Sequence, residues 1–251
     1  SRRRHTRLAA VSWARRCVLR DRYHAWTEIN VPQRPFEIEN VDTVTVPLAQ
    51  SGYTTEYLRY RITINDRPNE TNYYRIVIDK QTTLWGYNHE EGGDDYIYWT
   101  KHSYNFIGRE DVVLTDGQPT TGDDEDNGLF DTSKNIYGVF DDTRFRNTSY
   151  TMTVYNNTKI ETGSDSGYFS GMDVIIRLMS ITETEYYYLK ALNLVDSDAY
   201  DETINEPIKY PSNVHGGTGM VGISTEVTQT IHIISSSHSK GNLAPPVHVY
   251  Q

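Results

Sequence analysis

The sequence predicts an all-β fold, an antiparallel β-sandwich or partly closed barrel with one short helix in its C-terminal half. Three observations carry that expectation. Apolar residues alternate at period two from Thr27 onward, as in Tyr57-Leu-Arg-Tyr-Arg-Ile-Thr-Ile64 and Asn72-Tyr-Tyr-Arg-Ile-Val-Ile78, which turns one side of an extended chain toward a core. The 251 residues include 20 Tyr against 6 Phe; with Thr, Val and Ile they suit a half-buried pleated surface, where a ring packs inward and its hydroxyl reaches water. One segment alone, from Thr182, changes to helical spacing.

The elements follow in chain order. Thr27–Pro32 opens the regular part, and Pro32, Pro35 and Pro47 mark an extended or edge connection rather than a central strand. Tyr57–Ile64 and Asn72–Ile78 read as a β-hairpin closed by the turn chemistry of Asn65-Asp-Arg-Pro-Asn-Glu70. Further strands are expected at Gln81–Tyr87, Tyr96–His102, Asn135–Phe140, Ser149–Asn156, Met172–Ile181 and Thr225–Ile234, about eight to ten in all. Asp116–Asp131 is too polar for a core and reads as a rim loop. Thr182 and Glu185 form a capping box for a helix over Glu183–Val195, which can bury Tyr186, Leu189, Ala191, Leu192 and Val195. The domain division that results is a basic segment 1–26, an all-β domain 27–234 and a tail 235–251.

Charge is unevenly spread. The chain carries −10 overall, but residues 1–22 hold eight Arg against Asp21, so the remainder carries −17. An acidic body repels phosphate backbones, which argues against nucleic acid as a partner. Cys17 is the only cysteine, which removes intrachain disulfides and cysteine-built zinc sites. No window approaches the roughly 18 apolar residues of a membrane span.

Candidate chemistry is sparse. Gly217-Thr-Gly-Met-Val-Gly222 matches G-x-G-x-x-G, but Pro211 precedes it and a β-prone segment follows it. A dinucleotide fingerprint needs a strand before and a helix after, so the run reads as a tight turn feeding the last strand. Asp123, Asp124, Glu125 and Asp126 resemble the first half of a calcium loop; Lys134 stands where an EF-hand needs its bidentate Glu, so calcium at these four residues would be of a non-EF kind. His89-Glu-Glu-Gly-Gly-Asp-Asp95 lacks the second histidine of a zinc helix. No nucleophile elbow is present, and no catalytic residue or other cofactor is assigned. Trp85, Tyr87, Tyr96, Tyr98 and Trp99 form a candidate ligand surface for a glycan or peptide, with Tyr96 and Tyr98 on one face and Trp99 on the other.

Four segments, in order, resemble the surface lipoproteins of Bacteroidota bacteria grouped as the domain of unknown function 4249 family. They are the proline linker Thr27–Pro32, the run Ile64-Asn-Asp-Arg-Pro-Asn-Glu-Thr-Asn-Tyr-Tyr-Arg75, the aspartate-rich Gly138-Val-Phe-Asp-Asp-Thr-Arg-Phe145, and Asp173–Leu192 with Ser212-Asn-Val-His-Gly-Gly-Thr-Gly-Met-Val-Gly222. The resemblance implies an outer-membrane, cell-surface location, a lipid anchor outside the chain shown, and residues 1–26 as the remnant of an immunoglobulin-like N-terminal domain. It further implies a non-catalytic accessory subunit that captures a nutrient for a TonB-dependent, SusC-like β-barrel transporter. Two other functions compete: an adhesive or structural module of the cell surface, and a glycan or peptide hydrolase.

Overall fold

The computed structural model describes residues 24–50, 53–68, 70–88, 95–104, 106, 108, 111–117, 135–157, 168–196 and 208–233. In chain order the elements are β1 (Asn40–Gln50), β2 (Tyr53–Asn65), β3 (Tyr73–Asn88), β4 (Asp95–Ser103), β5 (Val139–Asp141), β6 (Ser149–Asn157), β7 (Tyr168–Ile181), α1 (Glu183–Val195) and β8 (Thr225–Ile233). Strands β1-β2-β6 form one antiparallel sheet; β4-β3-β7-β8 form the other, with β5 added beside the start of β3. The expected sandwich is therefore the fold, and neither sheet closes into a barrel.

Period-two patterning builds the core directly. Leu58, Tyr60, Ile62 and Ile64 of β2, with Met152 and Val154 of β6, turn one way. They meet Tyr74, Ile76 and Ile78 of β3, Met172, Val174, Ile176 and Leu178 of β7, and Val227 of β8. The intervening residues of β7 (Asp173, Ile175, Arg177, Met179) are half-buried on its other side. Pro47 lies in β1, an edge strand, where a missing N–H is tolerated.

The turn at Asn65–Glu70 does not close a hairpin. β2 pairs with β1 and β6, whereas β3 pairs with β4, β5 and β7, so the turn carries the chain from one sheet to the other. Each strand has one strongly apolar side, and facing those sides across a core buries both. Asp66 fixes the crossing, because its backbone N–H donates to Thr148 O (3.2 Å) and its carboxylate accepts the Asn147 N–H (2.9 Å) at the entry to β6.

Two more expectations are corrected. Asn72–Ile78 and Gln81–Tyr87 belong to a single long strand, β3. Of Asn135–Phe140, only Val139 and Phe140 are in a strand. Asn135 brackets Val139 instead, its side chain accepting the Val139 N–H (2.9 Å) and donating to the Val139 carbonyl (3.0 Å), a local arrangement that competes with a ladder. Gly138 between them has φ +62°, and a Cβ there would stand 2.3 Å from the Ile76 carbonyl oxygen, so only glycine fits.

Helix α1 lies on the outer face of the larger sheet, where Tyr186 and Leu189 pack with Val139 and Ile181 and against the half-buried Tyr73 and Met179. Its buried Asn193 accepts the Tyr137 N–H (3.1 Å) and donates to Asn135 Oδ1 (3.0 Å), which fastens the helix to the turn beneath it. Thr182 caps the helix, its hydroxyl accepting the Glu185 N–H at 3.2 Å. The reciprocal half of the capping box is not made. The Glu185 carboxylate turns toward the segment before β8, packing so close to Gly222 that a Cβ there would meet it at 2.8 Å.

Candidate functional site

The segments singled out in the sequence meet in space, and their polar groups are spent on one another. Asp142, fully buried, accepts the Asn72 backbone N–H (2.8 Å) and side-chain amide (3.0 Å) and an Arg146 N–H (3.3 Å). Arg146 also donates to Thr71 Oγ1 (2.9 Å). Asp66 Oδ1 takes the Tyr74 hydroxyl (3.2 Å) and the Asn72 amide (3.3 Å). Tyr74 in turn stacks on Phe140, with ring centroids 5.4 Å apart. The run around Asn72 and the aspartate-rich turn thus form one joint that ties both sheets together at one end.

The last motif is another joint. Asn213 accepts the Val221 N–H (2.9 Å) and donates to the Val221 carbonyl (2.8 Å), pinching Gly216–Gly219 into a closed loop. Trp26 pairs with His215 through backbone bonds of 3.0 and 2.8 Å, and their rings stack at 4.3 Å. The glycine run is a turn leading into β8.

Several tyrosine hydroxyls find carboxylate partners. Tyr73 donates to Glu183 (3.0 Å), Tyr74 to Asp66, Tyr137 to Asp196 (2.8 Å) and Tyr186 to Asp141 (3.1 Å). These bonds go to carboxylates, and burial together with nearby carboxylate charge, Asp111 in the case of Tyr150, holds the phenols of Tyr73, Tyr74, Tyr150 and Tyr186 well above their ordinary range. For Tyr137 the Asp196 carboxylate is the larger cause.

Several carboxyls shift as well. Burial lifts Asp66, Asp111 and Glu185 above the usual carboxylate range, with Asp142 adding repulsion at Asp66 and backbone N–H bonds partly offsetting the rise in each. Burial is also the largest influence on Asp141, but bonds from Thr143 and Tyr186 and the charge of Lys190 together outweigh it and hold that group low. A carboxyl whose folded pKa is raised stabilises the fold fully below its unfolded value of about 4, and loses that contribution as pH climbs through the folded value. Asp141 acts the opposite way, but only near and below the ordinary range. The urea midpoint is therefore expected to be higher at about pH 5 than at about pH 7.5. A midpoint that climbs with pH across that window would contradict the assignment.

The open surface is the outer face of the larger sheet, beyond α1. Register places His102, Gln81, Asp173 and His232 side by side across β4, β3, β7 and β8. Asp79, nearly buried, faces His102 Nδ1 with both oxygens (3.0 and 3.2 Å) and accepts Gln81 Nε2 at 2.8 Å. At the opposite edge His232 Nδ1 lies 2.7 Å from Asp173. The proposed aromatic group is divided. Trp85 and Tyr98 are register partners on this face, Trp85 buried and Tyr98 exposed. Trp99, opposed to Leu84, takes the inward side, with its indole N–H enclosed and without an acceptor among the described residues. Tyr87 and Tyr96 oppose each other in the backbone register.

The histidine–aspartate pairs escaped the sequence reading. Period-two alternation puts Asp79 and Gln81 on one side of a strand, but only the strand order brings His102 beside them. Asp123, Asp124, Glu125 and Asp126 lie outside the described residues. Among the described residues no three His, Cys, Asp or Glu side chains converge as a metal-ion cage. A shallow polar depression of about 330 Å³ on the smaller sheet is lined by Asn40, Asp42, Arg61, Thr63 and Thr151. No helix among the described residues is long and apolar enough to cross a membrane.

No curated protein matches the chain. A family model described as Domain of unknown function (DUF4249) matches residues 18–230, a span that contains both joints and the open sheet face apart from His232. With most of its length covered by that match, the chain belongs to the DUF4249 family.

Proposed function

We infer that the protein is a non-catalytic, lipid-anchored subunit of the outer-membrane surface that captures a nutrient for a TonB-dependent, SusC-like β-barrel transporter. The observation that carries this reading is the open face of the larger sheet, where Tyr98, His102, Gln81, Asp173 and His232 form a polar and aromatic surface on rigid strands. Such a surface, with polar groups preset by bonds to their neighbours, suits recognition. The polar residues of the two joints support the same reading, because their bonding capacity is committed to the frame. The setting at the outer membrane comes from the family resemblance.

The test is affinity isolation of the tagged protein from gently solubilised outer membrane. A large β-barrel recovered in near-equal amount is the expected result. Recovery of the protein alone, with the barrel proteins left in the unbound fraction, would reject the reading.

A further inference from the structure

We propose that the free edge of β8 is an interface for a second copy of this chain, the two copies pairing antiparallel about a two-fold axis at Thr230. The inference goes beyond the capture role and does not depend on it. β8 is the outermost strand of the larger sheet, with β7 as its strand neighbour among the described residues.

Backbone parity shows which groups of β8 point outward. The Ile76 N–H donates to the Gly138 carbonyl at 2.8 Å, on the β5 side of β3. Ile76 therefore turns away from β7, and its neighbours Arg75 and Val77 bond to Met179 and Arg177. Leu178, between those two, must then bond to Val227 of β8. Alternation leaves the N–H and carbonyl of Glu226, Thr228, Thr230 and His232 facing away from β7. Arg34 agrees with that assignment, because its Nε donates to the Glu226 carbonyl at 3.1 Å. The backbone groups of Thr228, Thr230 and His232 have no such partner among the described residues.

Sheet edges are ordinarily blunted by proline, by lysine or by a charge on the core side. β1 carries Pro47. β4 carries Lys101 opposite Thr82, which itself opposes the core residue Met172, so the charge lies on the core side. From Val227 to Ile233 the sequence Val-Thr-Gln-Thr-Ile-His-Ile has none of these devices. It also has no carboxylate, and two copies of a chain of net charge −10 approach most easily where acid does not meet acid.

Thr230 is the middle of the three open positions. A two-fold axis there sets Thr230 against Thr230 of the second copy and each Thr228 against the other copy's His232, matching every open donor with an open acceptor. The Glu226 carbonyl stays with Arg34. On the core side, Ile231 and Ile233 are only half-buried in one copy; they come opposite Gln229 and Val227 of the second copy, which cover them further. On the outer side Glu226 lies diagonal to the other copy's His232, within reach of a long side chain, so an acid meets an imidazole. The order β4-β3-β7-β8 of one copy continues into β8-β7-β3-β4 of the other, and the two polar outer faces become one surface.

One strand pair buries less than the roughly 1,600 Å² of a standard interface, so the association should be reversible and concentration-dependent. Sedimentation velocity of the full chain up to high micromolar concentration should show a monomer–dimer equilibrium. Thr230→Pro removes no bond to β7 and is tolerated at an edge, but it deletes the donor at the axis and should weaken the dimer by about tenfold or more, with the urea midpoint confirming that the monomer is folded. A second measurement does not depend on that variant. In a Cys17→Ser background, which removes the native cysteine, Thr230→Cys should give a disulfide-linked dimer on mild oxidation, because Cα atoms of a hydrogen-bonded antiparallel pair lie about 5.5 Å apart. Glu226→Cys, roughly 27 Å from its counterpart, should not. A chain that stays monomeric at every concentration, a dimer that Thr230→Pro leaves unweakened, or equal cross-linking at the two positions overturns the proposal.

Discussion

Asp142→Ala is expected to destabilise the protein by about 3 kcal/mol. The side chain is fully buried, and removing it strands the Asn72 backbone N–H, which has lost its acceptor inside the fold. The Asn72 amide is less affected, because Asp66 Oδ1 and the carbonyls of Arg67 and Glu70 lie within 3.1 to 3.3 Å of it. Arg146 also loses its charged partner and keeps Thr71 as its bonding partner among the described residues. Asp142→Asn should cost roughly half as much, since one amide oxygen can still accept the Asn72 N–H while the charge-assisted bond is lost. Urea denaturation of the three proteins side by side checks the order; equal midpoints for parent and Asp142→Ala would show that the joint bears no stability.

Phe140→Ala should cost about 3 to 5 kcal/mol. Phe140 is fully buried and belongs to the three-residue strand β5. Its ring stacks on Tyr74 at 5.4 Å and touches Phe145 at 6.3 Å, so truncation opens a cavity between rings that the joint holds in place. Collapse around the gap is restricted, because Tyr74 is tied to Asp66 and the backbone of β5 is paired to Tyr73, Tyr74 and Arg75. That restriction places the cost toward the upper part of the range. Thermal and urea unfolding give the number, and a loss below about 1 kcal/mol would mean that the site repacks freely.

Much of the fold is legible in the sequence because its strands are buried on one side. In β7, Met172, Val174, Ile176 and Leu178 alternate with Asp173, Arg177 and Met179, and in β2 Leu58, Tyr60, Ile62 and Ile64 alternate with Arg59, Arg61 and Thr63. The helix is equally plain, since Thr182 marks its start and its spacing differs from everything nearby. Strand partnership is not written in alternation. Asn65–Glu70 has the residues of a hairpin turn, and nothing local tells a turn within one sheet from a turn between two. The difference lies in Asp66 reaching Asn147 and Thr148, about eighty residues away. The strand expected at Asn135 fails for a similar reason, because an asparagine side chain bonded to Val139 looks in sequence like any polar residue before an apolar pair.

The candidate site was less legible. An aromatic-rich stretch is visible as composition, but which rings face outward depends on register and on what covers each face. Trp85 is buried while its register partner Tyr98 is exposed. His102 and Asp79 are 23 residues apart, with neither in a motif. Their pairing follows from β3 and β4 being neighbours and from the register between them, neither of which period-two alternation specifies.

The most direct test of the central claim, that the segments around Asn72 and Asp142 build a structural joint between the two sheets, is a double-mutant cycle on Asn72 and Asp142. Asn72→Ala, Asp142→Ala and the double variant would be compared with the parent by urea denaturation. Residues bonded across the joint are expected to show a coupling of about 1 to 2 kcal/mol, the double variant losing less than the two single losses together. Additivity within about 0.5 kcal/mol would contradict it.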